Sequence, residues 1–143
     1  MKKIVLILAC FTFAIASDTQ IGGVTYFDYT SGDGVSAFNF NRQYISFKGD
    51  ASDDVSYKVV FDVFANEDIP LLAFLKIAQV NYKCSFGTTN MGLIAMNTYG
   101  VQEKNWGYRF IQKSAMDLNK WSATADLGVG FHQSLGNISL SFL

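Results

Sequence analysis

Two stretches of this sequence alternate between oily and wet side chains for longer than a soluble strand usually runs. Residues 55–66 put Val55, Tyr57, Val59, Phe61, Val63 and Ala65 at odd positions, with Ser56, Lys58, Asp62 and Asn66 among the even ones. Residues 121–132 repeat the pattern, with Trp121, Ala123, Ala125, Leu127, Val129 and Phe131 against Ser122, Thr124, Asp126, Gly128, Gly130 and His132. Period two means extended chain, because successive side chains of a strand point to opposite faces. Soluble strands run to about five or six residues, whereas a tilted strand crossing a bilayer needs about nine to eleven. The pattern restricts the chain to long strands with one apolar face, as in a transmembrane β-barrel.

The N-terminus supports export. Lys2 and Lys3 precede an uncharged apolar run over residues 4–15, and Ala14-Ile15-Ala16 fits a small-x-small cleavage site. The run is too short for a spanning helix, which needs about 20 apolar residues. Residues 1–16 are therefore expected to be a signal peptide and 17–143 a β-barrel domain. The roughly 127 residues after the signal hold at most about eight long strands, too few for a water-filled pore of about 16 strands. Cys84 is the only cysteine beyond the signal, which excludes an intramolecular disulfide and a cysteine-rich metal site. A formal net charge of −1 gives no basic footprint for nucleic acid.

Strands are expected over 24–30, 37–49, 55–66, 74–84, 91–98, 121–132 and 138–142. Ser31-Gly32-Asp33-Gly34, residues 50–54, Glu67-Asp68-Ile69-Pro70, Thr88-Thr89-Asn90 and residues 134–137 supply the turns. In 37–49 the apolar phase changes between Phe38/Phe40 and Ile45/Phe47, which suggests a β-bulge or a strand end leaving the membrane. In 74–84 Lys76 interrupts an apolar face, and a lysine near a strand end can snorkel to the headgroups. Residues 100–120 do not alternate and read as a long loop with a short helix near 110–118, at the rim or folded into the mouth of the barrel. The expected fold class is all-β: about seven antiparallel transmembrane strands forming an incomplete barrel, with one long helix-containing loop. Seven is odd, whereas bacterial single-chain barrels have even strand numbers; residues 100–120 could hide an eighth strand.

The even faces give the candidate pore-lining residues Lys58, Asp62, Thr124, Asp126 and His132. Lys58 and Asp62 lie four apart on one strand, so cross-strand pairing is expected of them. Arg109 and Lys113 are candidates for a basic loop at the mouth. Tyr44, Tyr82, Trp106 and Trp121 are candidate membrane-interface aromatics, since amphipathic rings favour the headgroup level. One histidine without nearby cysteines makes no metal site, and no nucleophile elbow, phosphate loop or catalytic carboxylate pair is present. No enzyme activity, metal or cofactor is expected.

The segment Trp106-Gly107-Tyr108-Arg109-Phe110-Ile111-Gln112-Lys113 and the stretch S-A-T-A-D-L-G-V from Ser122 resemble the bacterial phosphate-selective porins of the O and P type. So do Arg42, Tyr44, Lys48 and Gly49, followed by Tyr57-Lys58 and Asp62. The resemblance covers most of the chain after the signal, but only the front part of a family member. It implies a trimeric sixteen-stranded anion channel in the bacterial outer membrane. Arg42 and Arg109 are the only arginines, so no arginine ladder can be recognised, and a general porin is the safer implication. The expected function is passive diffusion of small hydrophilic solutes, including anions, with membrane lipid, the solutes and a homotrimer as partners and no nucleic acid. A closed eight-stranded barrel with a structural or adhesive role, and a secreted soluble β-sandwich binding module, are the alternatives.

Overall fold

The structure, a computed structural model, describes residues 18–32, 34–65, 71–136 and 138–143. The expected signal peptide, Asp33, the turn at 67–70 and Asn137 lie outside the described residues. Seven strands, β1 (Gln20–Gly32), β2 (Val35–Asp50), β3 (Val55–Phe64), β4 (Leu72–Cys84), β5 (Gly87–Ala95), β6 (Ala125–Leu135) and β7 (Ile138–Phe142), form one antiparallel sheet in chain order. Every neighbour in the sheet is a neighbour in sequence, so the fold is a meander. The sheet is open, as β1 and β7 each have one neighbour. Two helices, α1 (Asn97–Trp106) and α2 (Ala115–Leu118), lie between β5 and β6.

The all-β class stands, and several boundaries move. The turn expected at Thr88–Asn90 falls instead at Ser85 and Phe86, so Thr88, Thr89 and Asn90 belong to β5. Cys84 Sγ donates to the Gly87 carbonyl at 3.2 Å and closes that tight turn. The strand expected from Trp121 begins at Ala125. The main helix lies at 97–106, ahead of the expected 110–118 segment, of which only Ala115–Leu118 is helical.

Register explains both irregular strands. Tyr26 pairs with Arg42 and Phe27 with Phe40, leaving Asn41 as an extra residue in β2. This β-bulge is the phase change seen between Phe38/Phe40 and Ile45/Phe47. In β4, Val60 pairs with Ile77 and Phe61 with Leu75, so Lys76 is the extra residue. Ala73 and Leu75 before the bulge and Ala78, Val80 and Tyr82 after it then share the face of Val63, Phe61, Val59, Tyr57 and Val55. The second bulge keeps one face of β4 apolar along its length and turns Lys76 onto the other. Lys76 does not snorkel: its side chain is 12% exposed and paired with Asp62.

Following the register across the sheet, one face carries Phe27, Ile45, Phe61, Leu75, Met91, Leu127, Val129, Leu140 and Phe142. This face is bare. Phe27 is 70% and Leu127 80% exposed, and Phe61, Leu75, Met91, Val129 and Phe142 are exposed as well. The opposite face holds Tyr26, Arg42, Tyr44, Asp62, Gln79, Asn81, Asn90 and His132, and α1 lies over it. Val60, Ile77 and Ile94 are its buried apolar side chains among the described residues, and Val60 and Ile77 lie beneath the helix segment. The arrangement inverts that of a soluble sheet, which buries its apolar face. Glycine permits tight backbone approach on β5: Gly92 has φ +112°, and a side chain there would collide with the Ala78 carbonyl.

Candidate functional site

The centre of the covered face is a charge cluster built from three strands. Asp62 on β3 is 1% exposed and lies 3.2 Å from Arg42 Nε on β2 and 3.1 Å from Lys76 Nζ on β4. Tyr44 sits directly opposite Asp62 in register, and its hydroxyl accepts from Lys76 at 3.2 Å and from Arg42 at 3.3 Å. Lys76 Nζ also lies 4.4 Å from the Tyr44 ring centroid, and the Arg42 guanidinium 5.5 Å from that of Phe64. One carboxylate shared by two cations leaves the cluster net positive. Burial makes that carboxylate indispensable, because two cations in a partly dry site repel strongly once it is gone.

Helix α1 stands off this wall. No α1 residue is buried, and its N-terminus has no side-chain cap. Gly100 in its interior costs about 1 kcal/mol relative to alanine. The segment is held from outside the helix. Met96 N–H donates to the Thr124 carbonyl at 3.0 Å, and Gly107, at φ 69°, turns the chain out of the helix while its N–H bonds the Glu103 carbonyl. Trp106 Nε1 donates to the Gln112 carbonyl at 2.9 Å and closes the loop beyond the helix. Arg109 then reaches back: its Nε is 3.5 Å from Glu103 Oε2, and its guanidinium lies 5.7 Å from the Tyr26 ring centroid on β1. Tyr99 donates to Asp117 Oδ2 at 3.3 Å, linking α1 to α2.

Between α1 and the sheet lies a cavity of about 290 Å³, lined by Tyr26, Tyr44, Lys58, Val60, Lys76, Ile77, Ala95, Met96, Tyr99, Gly100, Glu103, Arg109 and Thr124. Burial, with Asp117 and Glu103 nearby, pushes the Tyr99 hydroxyl up to about 12, so it stays a neutral phenol. Burial works against the Arg109 charge, but Tyr44, Tyr99 and Glu103 outweigh it and raise its pKa, so it stays cationic.

The structure sorts the expected site residues. Lys58 and Thr124 line this cavity, and Asp62 adjoins it through Lys76. Cross-strand pairing holds for Asp62, while Lys58 stands opposite Lys48 and Gln79. Asp126 shares the face but is exposed, with its Oδ1 bonded to the Leu127 N–H at 2.8 Å. His132 lies on β6 in a separate polar chain. Its Nε2 is 3.1 Å from Asn90 Nδ2 on β5, and its Nδ1 is 2.6 Å from Ser141 Oγ on β7. With the Asn90 amide donating to Nε2, Nδ1 carries the proton and donates to Ser141. Gly130 admits this packing, since a side chain there would strike Asn90.

Arg109 lines the cavity, whereas Lys113 lies half-buried between the helices and does not. Tyr44 faces the covered side, between Arg42 and Lys76. Trp106 closes α1 and Trp121 precedes β6, so neither sits on a strand; of the four only Tyr82 is on the bare face. Sequence reasoning missed Lys76, Glu103, Asn90 and Ser141 as members of these networks. Lys76 had a signal, as a lone charge on an apolar face is what a bulge produces when it shifts the phase by one residue. Comparison with protein-family models, with curated proteins and with solved structures finds no match for this chain.

Proposed function

We propose that this chain forms the wall of an outer-membrane porin-type β-barrel that passes small hydrophilic solutes, with α1 and its flanking loop narrowing the pore. The observation that supports it is the inverted sheet: the apolar face is bare across all seven strands, while the charges lie opposite, beneath a loop. A bilayer covers such a face without a protein partner. The small core points the same way. Only Val60, Ile77 and Ile94 are buried apolar side chains among the described residues.

Unpaired strand edges are costly in lipid. In a seven-stranded meander β1 and β7 run in the same direction and cannot pair antiparallel with each other. A closed antiparallel barrel containing this sheet needs an odd number of further strands, in keeping with one sector of a larger barrel. Net positive character at the Arg42–Asp62–Lys76 cluster and at Lys58 favours anions within the pore. The test is reconstitution of the chain, alone and with any continuation of its reading frame, into planar bilayers. Stepwise conductance that favours anions is expected. A monomer that stays soluble without detergent and leaves vesicles intact overturns the proposal.

A further inference from the structure

The cavity under α1 has an uneven chemistry. Its walls are largely apolar, with Val60 and Ile77 below, Met96 to one side and the rings of Tyr44 and Tyr99. Two of its three cations have a carboxylate beside them, Lys76 at 3.1 Å from Asp62 and Arg109 at 3.5 Å from Glu103, although the Arg109 Nε makes no hydrogen bond. Lys58 is different. It is half-buried, lines the cavity, and stands opposite Lys48 in the β2–β3 register, with Gln79 rather than a carboxylate opposite it on β4. Like charges placed directly opposite on paired strands repel.

Resting on the porin reading and narrowing it, we propose that this cavity is a binding site for a small amphiphilic carboxylate, a single-ring or short-chain monocarboxylic acid. The carboxylate sits at the Lys58 ammonium and the apolar body lies against Ile77 and the Tyr44 and Tyr99 rings. A cavity of about 290 Å³ lies at the small end of ligand pockets, which run from about 300 to 1,000 Å³. That size suits one ring. Inorganic phosphate matches less well, because it asks for several donors around its oxygens and offers nothing to an apolar wall. Tyr99 stays protonated up to about 12, so it adds no negative charge to repel the ligand.

The test is calorimetric titration of the full chain, folded in detergent, with benzoate, benzyl alcohol and inorganic phosphate. Benzoate is expected to bind saturably, with benzyl alcohol and phosphate each at least about tenfold weaker. Lys58→Gln should weaken benzoate about tenfold, and Lys58→Arg should restore it. Phosphate binding as tightly as benzoate, benzyl alcohol binding equally well, or Lys58→Gln leaving benzoate unaffected each overturns the proposal. The ligand series on the unaltered chain decides the matter if a variant fails to fold. Binding is read without conductance, so a conducting chain that ignores benzoate removes this inference alone. A chain that binds benzoate but forms no channel removes the porin reading.

Discussion

Two polar networks tie strands together on the covered face, and they do so with opposite chemistry. Across β2, β3 and β4 the network is ionic, with Asp62 between Arg42 and Lys76 and the carboxylate almost wholly buried. Across β5, β6 and β7 it is neutral, with His132 between Asn90 and Ser141. The ionic network sits beside the bulge that inserts Lys76, whereas the β5–β6 and β6–β7 registers run without a shift. The ionic one lies next to the α1 cavity and the neutral one does not. The ion pairs of the sheet thus lie where the loop narrows the covered face, while the Asp28 carboxylate on β1 is held by Asn39 and Asn41 through hydrogen bonds alone. A buried ion pair adds little net stability over apolar packing, yet breaking it is severe.

The largest effect should come from breaking the ionic side. Asp62→Ala leaves Arg42 and Lys76 facing each other and should cost about 3–5 kcal/mol, read by denaturant unfolding in detergent. The triple change Arg42→Met, Asp62→Leu, Lys76→Met should recover most of that loss while lowering anion preference, with Lys58 left to supply the remainder. A triple variant as unstable as the single one would mean that the charges are structural.

The contrast between the two faces is tested on adjacent residues of β6. Leu127→Arg on the bare face should cost about 2–4 kcal/mol in a bilayer if it lies near the midplane, and Asp126→Arg on the covered face close to nothing. Equal costs from refolding into vesicles would remove the assignment of the bare face to lipid. On the neutral side, His132→Ala gives up two hydrogen bonds and should cost roughly 1–2 kcal/mol, well below Asp62→Ala, with anion preference unchanged. A shift in selectivity would bring His132 into the pore function.

The smallest effect is a pH dependence. The Tyr99 hydroxyl is raised to about 12 in the folded chain, so the folded state holds its proton more tightly than the unfolded one. Its contribution is complete below about pH 10, the ordinary tyrosine value, and is lost as pH rises towards 12. A tyrosinate absorbance titration of Tyr99→Phe against the unaltered chain should lack one late-titrating group. If no tyrosine titrates late, the burial of Tyr99 beside Asp117 does not hold in solution.

The sequence by itself determined the all-β class and the apolar face of β3, because period two translates directly into a strand with sides. It also marked β2 as irregular and separated the residues after β5 from the strands. The strand start at Trp121 was misread because local alternation continues through 121–124, where the chain instead leaves the loop packed around α1 and α2. The helix position was misread because α1 has little apolar periodicity and is held by Met96, Trp106 and Arg109 contacts that no local pattern encodes. A lone charge on an apolar face hinted at the β4 bulge, but the pairing with β3 decided that Lys76 turns inward, since a bulge is defined by the partner strand as well as by its own residues. Tertiary structure alone joined Arg42, Asp62 and Lys76, which lie on three strands, and Asn90, His132 and Ser141 on three others. Register sets those meetings, and register is a property of paired strands, which no single strand's sequence contains.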